Sequence, residues 1–166
     1  MRLPSGLTAL VACALLTSSS AAAPQQRARP KKSDLVKQRL NPEGLQQPRG
    51  YSHVVVVKGG RTVYVAGQVA LDAKGELVGK GDLKAQATQV FENLRTALRA
   101  AGADFDHVVK LNTYVVNYRP AMLDTLRAVR GSFMGEVAVP ASTLVGVQAL
   151  AREGFLIEIE AVAVVE

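Results

Sequence analysis

The chain has 166 residues, which suits one domain of ordinary size with short appendages, because on the order of 100 residues suffice for a compact core. Its net charge of +6 is uneven: residues 1–50 hold eight Lys and Arg against two acids, whereas residues 51–166 hold twelve of each. Duplex binding normally needs a basic stripe on the folded domain, so a neutral domain behind a basic arm argues against nucleic acid as the partner.

The first residues are predicted to be an export signal. Arg2 supplies positive charge, residues 7–16 form an apolar stretch too short to span a bilayer, and small residues follow over 18–23. Because Pro24 hinders cleavage directly before it, we place the cut after Ala22. We therefore expect residues 1–22 to be removed and the protein to be exported, periplasmic or secreted, with no integral membrane span.

Cys13 opens an alternative for the same segment. Residues 10–13, Leu-Val-Ala-Cys, resemble a bacterial lipobox, in which the cysteine is lipidated and becomes the mature N-terminus. Against this interpretation, the apolar run continues past Cys13. Cys13 is also the only cysteine, so a product cut after Ala22 has no thiol, no disulfide and no cysteine metal site.

A basic linker is predicted over residues 23–49, ahead of a domain over residues 50–166. The linker is rich in Pro, Gln, Lys and Arg up to Arg49 and lacks aromatic residues, so it buries too little surface to offset the entropy lost on ordering. Within it, residues 35–40 are open to two interpretations, about one helical turn or plain disorder.

The domain is predicted to begin with a β-hairpin. Residues 54–57 and 63–69 are β-branched runs, and Gly59 and Gly60 between them can take the positive φ angles of a tight turn. A short third strand is expected at residues 76–78.

Two helices and three longer strands are predicted next. Apolar residues recur at helical spacing between Asp82, the predicted N-cap, and Ala101, with Gly102 just past the end. The remaining elements are a strand at 108–116, a helix at about 120–134 with Pro120 in its first turn, and strands at 143–147 and 155–164. In the last strand Glu158 and Glu160 share one face.

This order of elements predicts an α+β fold, a mixed β-sheet with both helices packed on one face. Apolar residues alternate on both faces of the strands, so a lone two-layer chain would expose a sticky sheet surface. Self-association with closed symmetry is the simplest way to cover that surface.

A series of short motifs resembles the RidA/YjgF (L-PSP) family, and the motifs follow one another over nearly all of residues 50–166. They are Gly50-Tyr51-Ser52-His53, Val65-Ala66-Gly67-Gln68, Gln89-Val90-Phe91-Glu92-Asn93-Leu94, Ala101-Gly102-Ala103, Val108-Val109-Lys110, Pro140-Ala141-Ser142-Thr143 and Ile157-Glu158-Ile159-Glu160-Ala161. The resemblance implies a chorismate-mutase-like fold, a homotrimeric barrel and a small-molecule cleft at each subunit interface. It also implies hydrolysis of imines or enamines, as in the 2-imino acid deaminases, without a cofactor.

The same resemblance implies the residues of the site. Glu158 matches a glutamate thought to position or activate water for attack on the C=N carbon, which makes it the catalytic candidate. Tyr51 matches a cleft-lining tyrosine, and Gly67 matches a position whose backbone contacts the ligand. Ser142 and Thr143 offer hydroxyls for substrate binding.

Ser142 is the main departure from the family pattern, because active deaminases have there an arginine that clamps the substrate carboxylate. Losing a bidentate charged contact costs on the order of 2 to 3 kcal/mol, so efficient deamination of a free 2-imino acid is not expected. The pocket is also less polar than usual, with His53 in place of Gln, Ala66 in place of Ser and Gly146 in place of an acidic residue. His53 and His107 lack ligand spacing, so no metal site is expected.

Two functions from different classes remain. The protein is either a hydrolase of imines, enamines or related small carbonyl compounds, or a non-catalytic periplasmic trimer that binds a small ligand. A ribonuclease, the activity reported for some relatives, is disfavoured because the domain is neutral and lacks an evident basic-aromatic surface.

Overall fold

The computed structural model describes residues 35–135 and 139–166 of the chain. The predicted signal, its cleavage after Ala22 and the lipobox cysteine Cys13 lie outside these residues. The described elements are β1 (Val36–Leu40), β2 (Val54–Lys58), β3 (Arg61–Gln68), α1 (Leu83–Ala100), β4 (Val108–Val116), α2 (Leu123–Met134), β5 (Ala141–Val147) and β6 (Ile157–Val165). One 3-10 turn, Phe105–His107, precedes β4, and another, Pro120–Met122, precedes α2.

Four strands form one mixed sheet, in the order β3-β6-β4-β5. Strand β6 lies antiparallel to both β3 and β4, whereas β4 and β5 are parallel. Parallel neighbours need a long crossover, and α2 lies in the connection between β4 and β5. The mixed sheet with two helices confirms the predicted α+β class.

The core lies between this sheet and the helices. In β6 the residues Ile157, Ile159, Ala161 and Ala163 are buried, and the alternate residues are less so. They pack under α1, whose Leu94 is fully buried. The opposite face of the sheet is therefore left without a helix in the described residues.

Helix α1 has the predicted ends. The Asp82 side chain accepts hydrogen bonds from the N–H groups of Lys84 and Ala85, as an N-cap does, and Gly102 follows the last turn with φ +73°. Gln86, which is fully buried, donates to the carbonyl of Gly154 over 2.8 Å and accepts from the N–H of Leu156 over 2.8 Å. These bonds fasten α1 to the loop that leads into β6.

The predicted hairpin is wrong in its pairing. Both strands exist, and Gly59 and Gly60 between them have φ of +77° and +79°, but β2 pairs antiparallel with β1 and β3 pairs with β6. Residues 36–40, within the expected linker, form that strand β1 instead of a helical turn. The physical reason is that β1 supplies hydrogen-bond partners for the backbone of β2. At residues 76–78 a single bridge joins Leu71 and Leu77 where a strand was expected.

Candidate functional site

Glu158 and Gly67 are brought together on the sheet face that carries no helix. The backbone of β3 is irregular between Val65 and Gln68, and this bulge places Gly67 under the Glu158 side chain. A Cβ added at residue 67 would overlap Oε1 of Glu158 and would lie 2.7 Å from its Cδ and 2.9 Å from its Cγ. Only glycine therefore allows this approach of carboxylate and backbone.

The two glutamates of β6 have different surroundings. Oε1 of Glu160 accepts hydrogen bonds from Asn112 Nδ2 over 2.6 Å and from the Tyr114 hydroxyl over 3.3 Å. Burial, followed by the charge of Glu160, raises the pKa of Tyr114, because both disfavour the phenolate. The carboxylate of Glu158 accepts no hydrogen bond from any described residue, so its oxygens are available to a water or a substrate.

Thr143 lies on the same open face as Glu160, because both are in register with Asn112 of β4. Its hydroxyl accepts a hydrogen bond of 2.6 Å from Nζ of Lys110. Thr143 is thus engaged within the chain, whereas its neighbour Ser142 points to the opposite side of the sheet.

Ser142 and Tyr51 line a cavity of about 190 Å³ on the helix side of the sheet. Tyr51 is held beside the start of β5 by two hydrogen bonds of its neighbour Ser52. The N–H of Ser52 donates to the carbonyl of Pro140 over 3.0 Å, and the Ser52 hydroxyl donates to the carbonyl of Val139 over 2.8 Å. Half of the residues that line the cavity have aliphatic or phenyl side chains, namely Phe91, Leu123, Leu126, Leu144, Ile157 and Ile159.

The five predicted site residues therefore fall into two groups within one chain. Ile157 and Ile159 line the cavity, and Glu158 between them points to the other face of the sheet. The side chains of Ser142 and Glu158 are separated by the sheet, so a small molecule bound within a single chain cannot touch both.

Three arginines on the cavity wall were missed in the sequence. Arg127 and Arg130 come from α2, and Arg49 comes from the segment before β2. The spacing of Arg127 and Arg130, three residues apart on a predicted helix, places them on one helix face. It could not show that this face meets Ser142, because that contact depends on how α2 packs against the sheet.

Both described histidines have structural partners. Nε2 of His53 lies 2.8 Å from the carbonyl oxygen of Gln46, and its ring meets Tyr51 edge-on at 5.3 Å. Nδ1 of His107 accepts a hydrogen bond from the N–H of Asp104 in the capping box before β4. Residues 35–135 and 139–166 contain no cluster of metal-ligating side chains, and no helix among them is long and apolar enough to cross a membrane.

Gly146, found where an acidic residue was expected, packs against Tyr118. A Cβ at residue 146 would lie 3.0 Å from the Cβ of Tyr118, closer than nearly all such contacts. A larger side chain at this position would push the tyrosine away from β5.

Comparison with known proteins identifies the family. The family model described as Endoribonuclease L-PSP matches residues 43–165. A RutC family protein of Pyrococcus horikoshii is 37% identical over 123 residues, which is 73% of this chain and 92% of that protein. The 2-iminobutanoate/2-iminopropanoate deaminase of Mus musculus is 37% identical over 115 residues, 69% of this chain and 80% of the mouse protein.

Solved structures agree with that match. The crystal structure of the Rid family protein YyfB of Yersinia pestis is 48% identical, has a TM-score of 0.74, and is matched over 78% of this chain and 98% of that one. The shared mixed sheet and the two helices are the fold of that family. The chain therefore belongs to the RidA/YjgF family, whose model carries the name endoribonuclease L-PSP.

Proposed function

We propose that the protein hydrolyses imines or enamines of small carbonyl compounds, with Glu158 positioning the attacking water. The observation that carries this proposal is the contact between Glu158 and Gly67. The Glu158 carboxylate lies against the backbone of a residue without a side chain, and it accepts no hydrogen bond from the described residues. Relatives that act as 2-iminobutanoate/2-iminopropanoate deaminases, including the mouse protein, support the same chemistry.

The step needs one water and no cofactor. The carboxylate of Glu158 accepts a proton from the water as the water oxygen attacks the C=N carbon, and this proton then passes to the nitrogen. The carboxylate then carries a second proton from the new hydroxyl group to the nitrogen, the C–N bond breaks, ammonia leaves, and the carbon becomes a carbonyl. An enamine enters the same route after protonation at carbon gives the imine.

The proposal includes a homotrimer with a ligand cleft between subunits. Gly67 lies on the edge strand β3 and Ser142 on the opposite edge strand β5. In a closed ring each copy would present its β5 edge to the β3 edge of the next, which would bring the two separated groups of site residues toward one cleft.

Export to the periplasm or the medium is also part of the proposal, supported by the signal-like residues 1–22. The test is mass spectrometry of the chain recovered from the periplasm or the medium. A product starting at Ala23 would support the cut after Ala22, and a lipid-modified Cys13 would show the alternative anchor.

The test is hydrolysis of 2-iminopropanoate, generated in situ, and of an imine without a carboxylate. Glu158→Gln should lower kcat by about 10²- to 10⁴-fold, the usual contribution of a general base. Glu160→Gln is the matched control, because it lies on the same face and its amide oxygen can still accept from Asn112. Equal rates for the wild type and Glu158→Gln, or a wild type inactive on every imine, would rule the proposal out.

Substrate choice is tested with Ser142→Arg in the same assay. If the missing guanidinium limits carboxylate binding, the variant should gain affinity for 2-iminopropanoate by roughly tens- to hundreds-fold and gain little for the uncharged imine. A gain of equal size for both imines would contradict that role for residue 142.

Binding without turnover is the second candidate function, and one observation favours it. The cavity that holds Ser142 is lined by arginines, hydroxyls and apolar groups, and none of the described residues that line it offers a carboxylate, a histidine or a thiol as a base. A wild type that binds a small ligand saturably but releases no ammonia would support this candidate over hydrolysis.

A further inference from the structure

We propose that the two-stranded β1–β2 ribbon, together with the basic residues that precede it, binds the surface of a membrane that contains anionic phospholipids. Exposed aliphatic side chains of the ribbon contact the bilayer, and the basic residues contact its charged headgroups. This interaction is independent of Glu158, so a chain that hydrolyses imines without binding vesicles, or the reverse, separates it from the proposed reaction.

The positive charge of the chain is concentrated just before the ribbon. Residues 27–32, the basic segment, hold four Lys and Arg and no acid, whereas residues 51–166 hold twelve bases and twelve acids. The basic segment lies outside the described residues. Lys32 stands four residues before Val36, where β1 begins, and four residues span at most about 14 Å. The charge therefore stays close to the ribbon.

The ribbon lies across one end of the main sheet. Nε of Arg39 in β1 donates to the carbonyl of Val139, just before β5, over 3.2 Å. At the other end of the ribbon, Cδ1 of Leu35 would lie 3.0 Å from a Cβ added at Gly60, just before β3. The ribbon thus spans from the start of β5 to the start of β3.

The two faces of the ribbon differ in composition and exposure. Directly opposite residues of an antiparallel pair lie on the same face. Arg39 is opposite Val55, and Lys37 is opposite Val57, and all four of these side chains are half-buried. The other face, here called the ribbon face, carries no acidic residue among its described members, which are Gln38, Leu40, Val54, Val56 and Lys58.

The ribbon face exposes apolar side chains that the proposed trimer contact does not involve. Val54 is 39% exposed and Val56 is 46% exposed, and Leu45, in the turn after β1, is 52% exposed. The other large apolar side chains that are exposed among the described residues are Tyr64 and Val145, on the strands whose edges are proposed to meet in the trimer. Aliphatic exposure is thus concentrated beside the basic segment.

A bilayer is the partner that uses both features. Reversible attachment to a membrane is made stable by combining an apolar group, which enters the boundary between headgroups and acyl chains, with a basic patch. A nucleic acid would neutralise the bases, but sites for single strands stack bases on aromatic side chains, and the ribbon face has none among its described residues. The valines would then remain uncovered.

The test is co-sedimentation of the exported form, beginning at Ala23, with vesicles of phosphatidylglycerol and phosphatidylcholine in equal parts. Binding to vesicles of phosphatidylcholine alone should be at least about tenfold weaker, and salt of about 1 M should weaken binding to the mixed vesicles strongly. Equal binding to both vesicles, no effect of salt, or no binding to the mixed vesicles at low salt would overturn the proposal. Duplex DNA of equal total charge that strips the protein from the vesicles would also overturn it, in favour of a nucleic-acid partner.

Charge variants test the basic segment. The double substitution Lys31→Gln and Lys32→Gln should weaken binding to the mixed vesicles roughly twenty-fivefold, since each base near an anionic surface contributes about a factor of five. The control is Lys74→Gln with Lys80→Gln, two exposed lysines that follow the end of β3 remote from the ribbon. Wild-type affinity in the first variant, or an equal loss in the second, would refute the role of the basic segment.

Two substitutions at Val56 test the ribbon face in opposite directions. Val56→Ile adds one methylene and should tighten binding about fourfold, whereas Val56→Thr replaces a methyl group by a hydroxyl and should weaken it. All three side chains are β-branched, so the strand is preserved. Equal affinities of the wild type and both variants would show that the ribbon face does not enter the bilayer, which contradicts the proposal.

Discussion

At residue 67, on the open sheet face, a side chain larger than that of glycine would require the Glu158 side chain to move. Gly67 is not held by an unusual φ, and what excludes other residues is the Glu158 side chain above it. We expect Gly67→Ala to displace that carboxylate and to lower a Glu158-dependent rate by about a hundredfold, since small misplacements of a catalytic group have costs of this size. Ammonia release under saturating imine measures the loss.

Gly131→Ala is the matched control for that substitution. Gly131 lies within α2 and a Cβ added there meets nothing within 4 Å, so alanine should stabilise the helix by about 1 kcal/mol and leave the rate unchanged. A Gly67→Ala protein with the wild-type rate would show that the contact has no part in catalysis.

At the same scale, motif comparison named Glu158 and Gly67, and the structure places these two residues in contact. It also named Tyr51 and Ser142, which share a cavity on the other face. The division between the faces follows from strand alternation and register, which a motif does not contain. The cavity arginines were beyond reach because their meeting with Ser142 depends on helix packing.

At the scale of elements, the periodicity of apolar residues was sufficient to locate the helices and strands that bury one apolar face of their own. Helix α1, strand β4 and the second helix lie where their apolar spacing predicts. Pairing was harder, because β2 and β3 have the composition of a hairpin and yet join different partners. The partner of β2 lies in a basic stretch, residues 36–40, that carries little apolar signal of its own.

The turn before β4 makes the stability of the fold sensitive to acid. A hydrogen bond from the N–H of Phe105, assisted by the Arg99 side chain, lowers the pKa of Asp104. A carboxyl whose pKa is lower in the folded state contributes stability above its unfolded pKa and loses it as pH falls through the folded pKa. We expect Asp104→Asn to destabilise the protein at neutral pH and the difference in Tm from the wild type to shrink on acidification.

Asp106→Asn serves as the control for that pH series. Asp106 lies in the same turn, and its carboxylate accepts no hydrogen bond from the described residues, so its substitution should leave the acid dependence close to that of the wild type. A constant Tm difference between Asp104→Asn and the wild type from neutral to acidic pH would contradict the role given to Asp104.

At the scale of the whole molecule, the face without helices is the surface through which we propose that the chain assembles. Tyr64 on β3 is 80% exposed and Val145 on β5 is 43% exposed, at opposite edges of the sheet. In the proposed trimer Tyr64 would be covered by a neighbouring copy. Tyr64→Asp should therefore yield monomers, because it would bury an unpaired carboxylate, and light scattering after size exclusion should show one third of the wild-type mass.

Thr88→Asp adds the same charge on the exposed side of α1 and should leave the assembly intact. Monomeric wild-type protein, or a Tyr64→Asp protein with the wild-type mass, would count against an interface on this face. The alternation of apolar residues on both faces of the strands predicts that another subunit covers the face without helices. It does not predict the number of subunits, since closed rings of several sizes would cover that face.

Gln86 has a consequence for how the domain comes apart. Its buried amide is bound at once to the carbonyl of Gly154 and to the N–H of Leu156, so α1 cannot lift away without leaving polar groups unsatisfied in the core. The chain that leads into β6, the strand that carries Glu158, is joined to α1 by the same bonds. We therefore expect helix and strand to open as one cooperative unit, so that the sheet face that presents Glu158 is lost only together with α1.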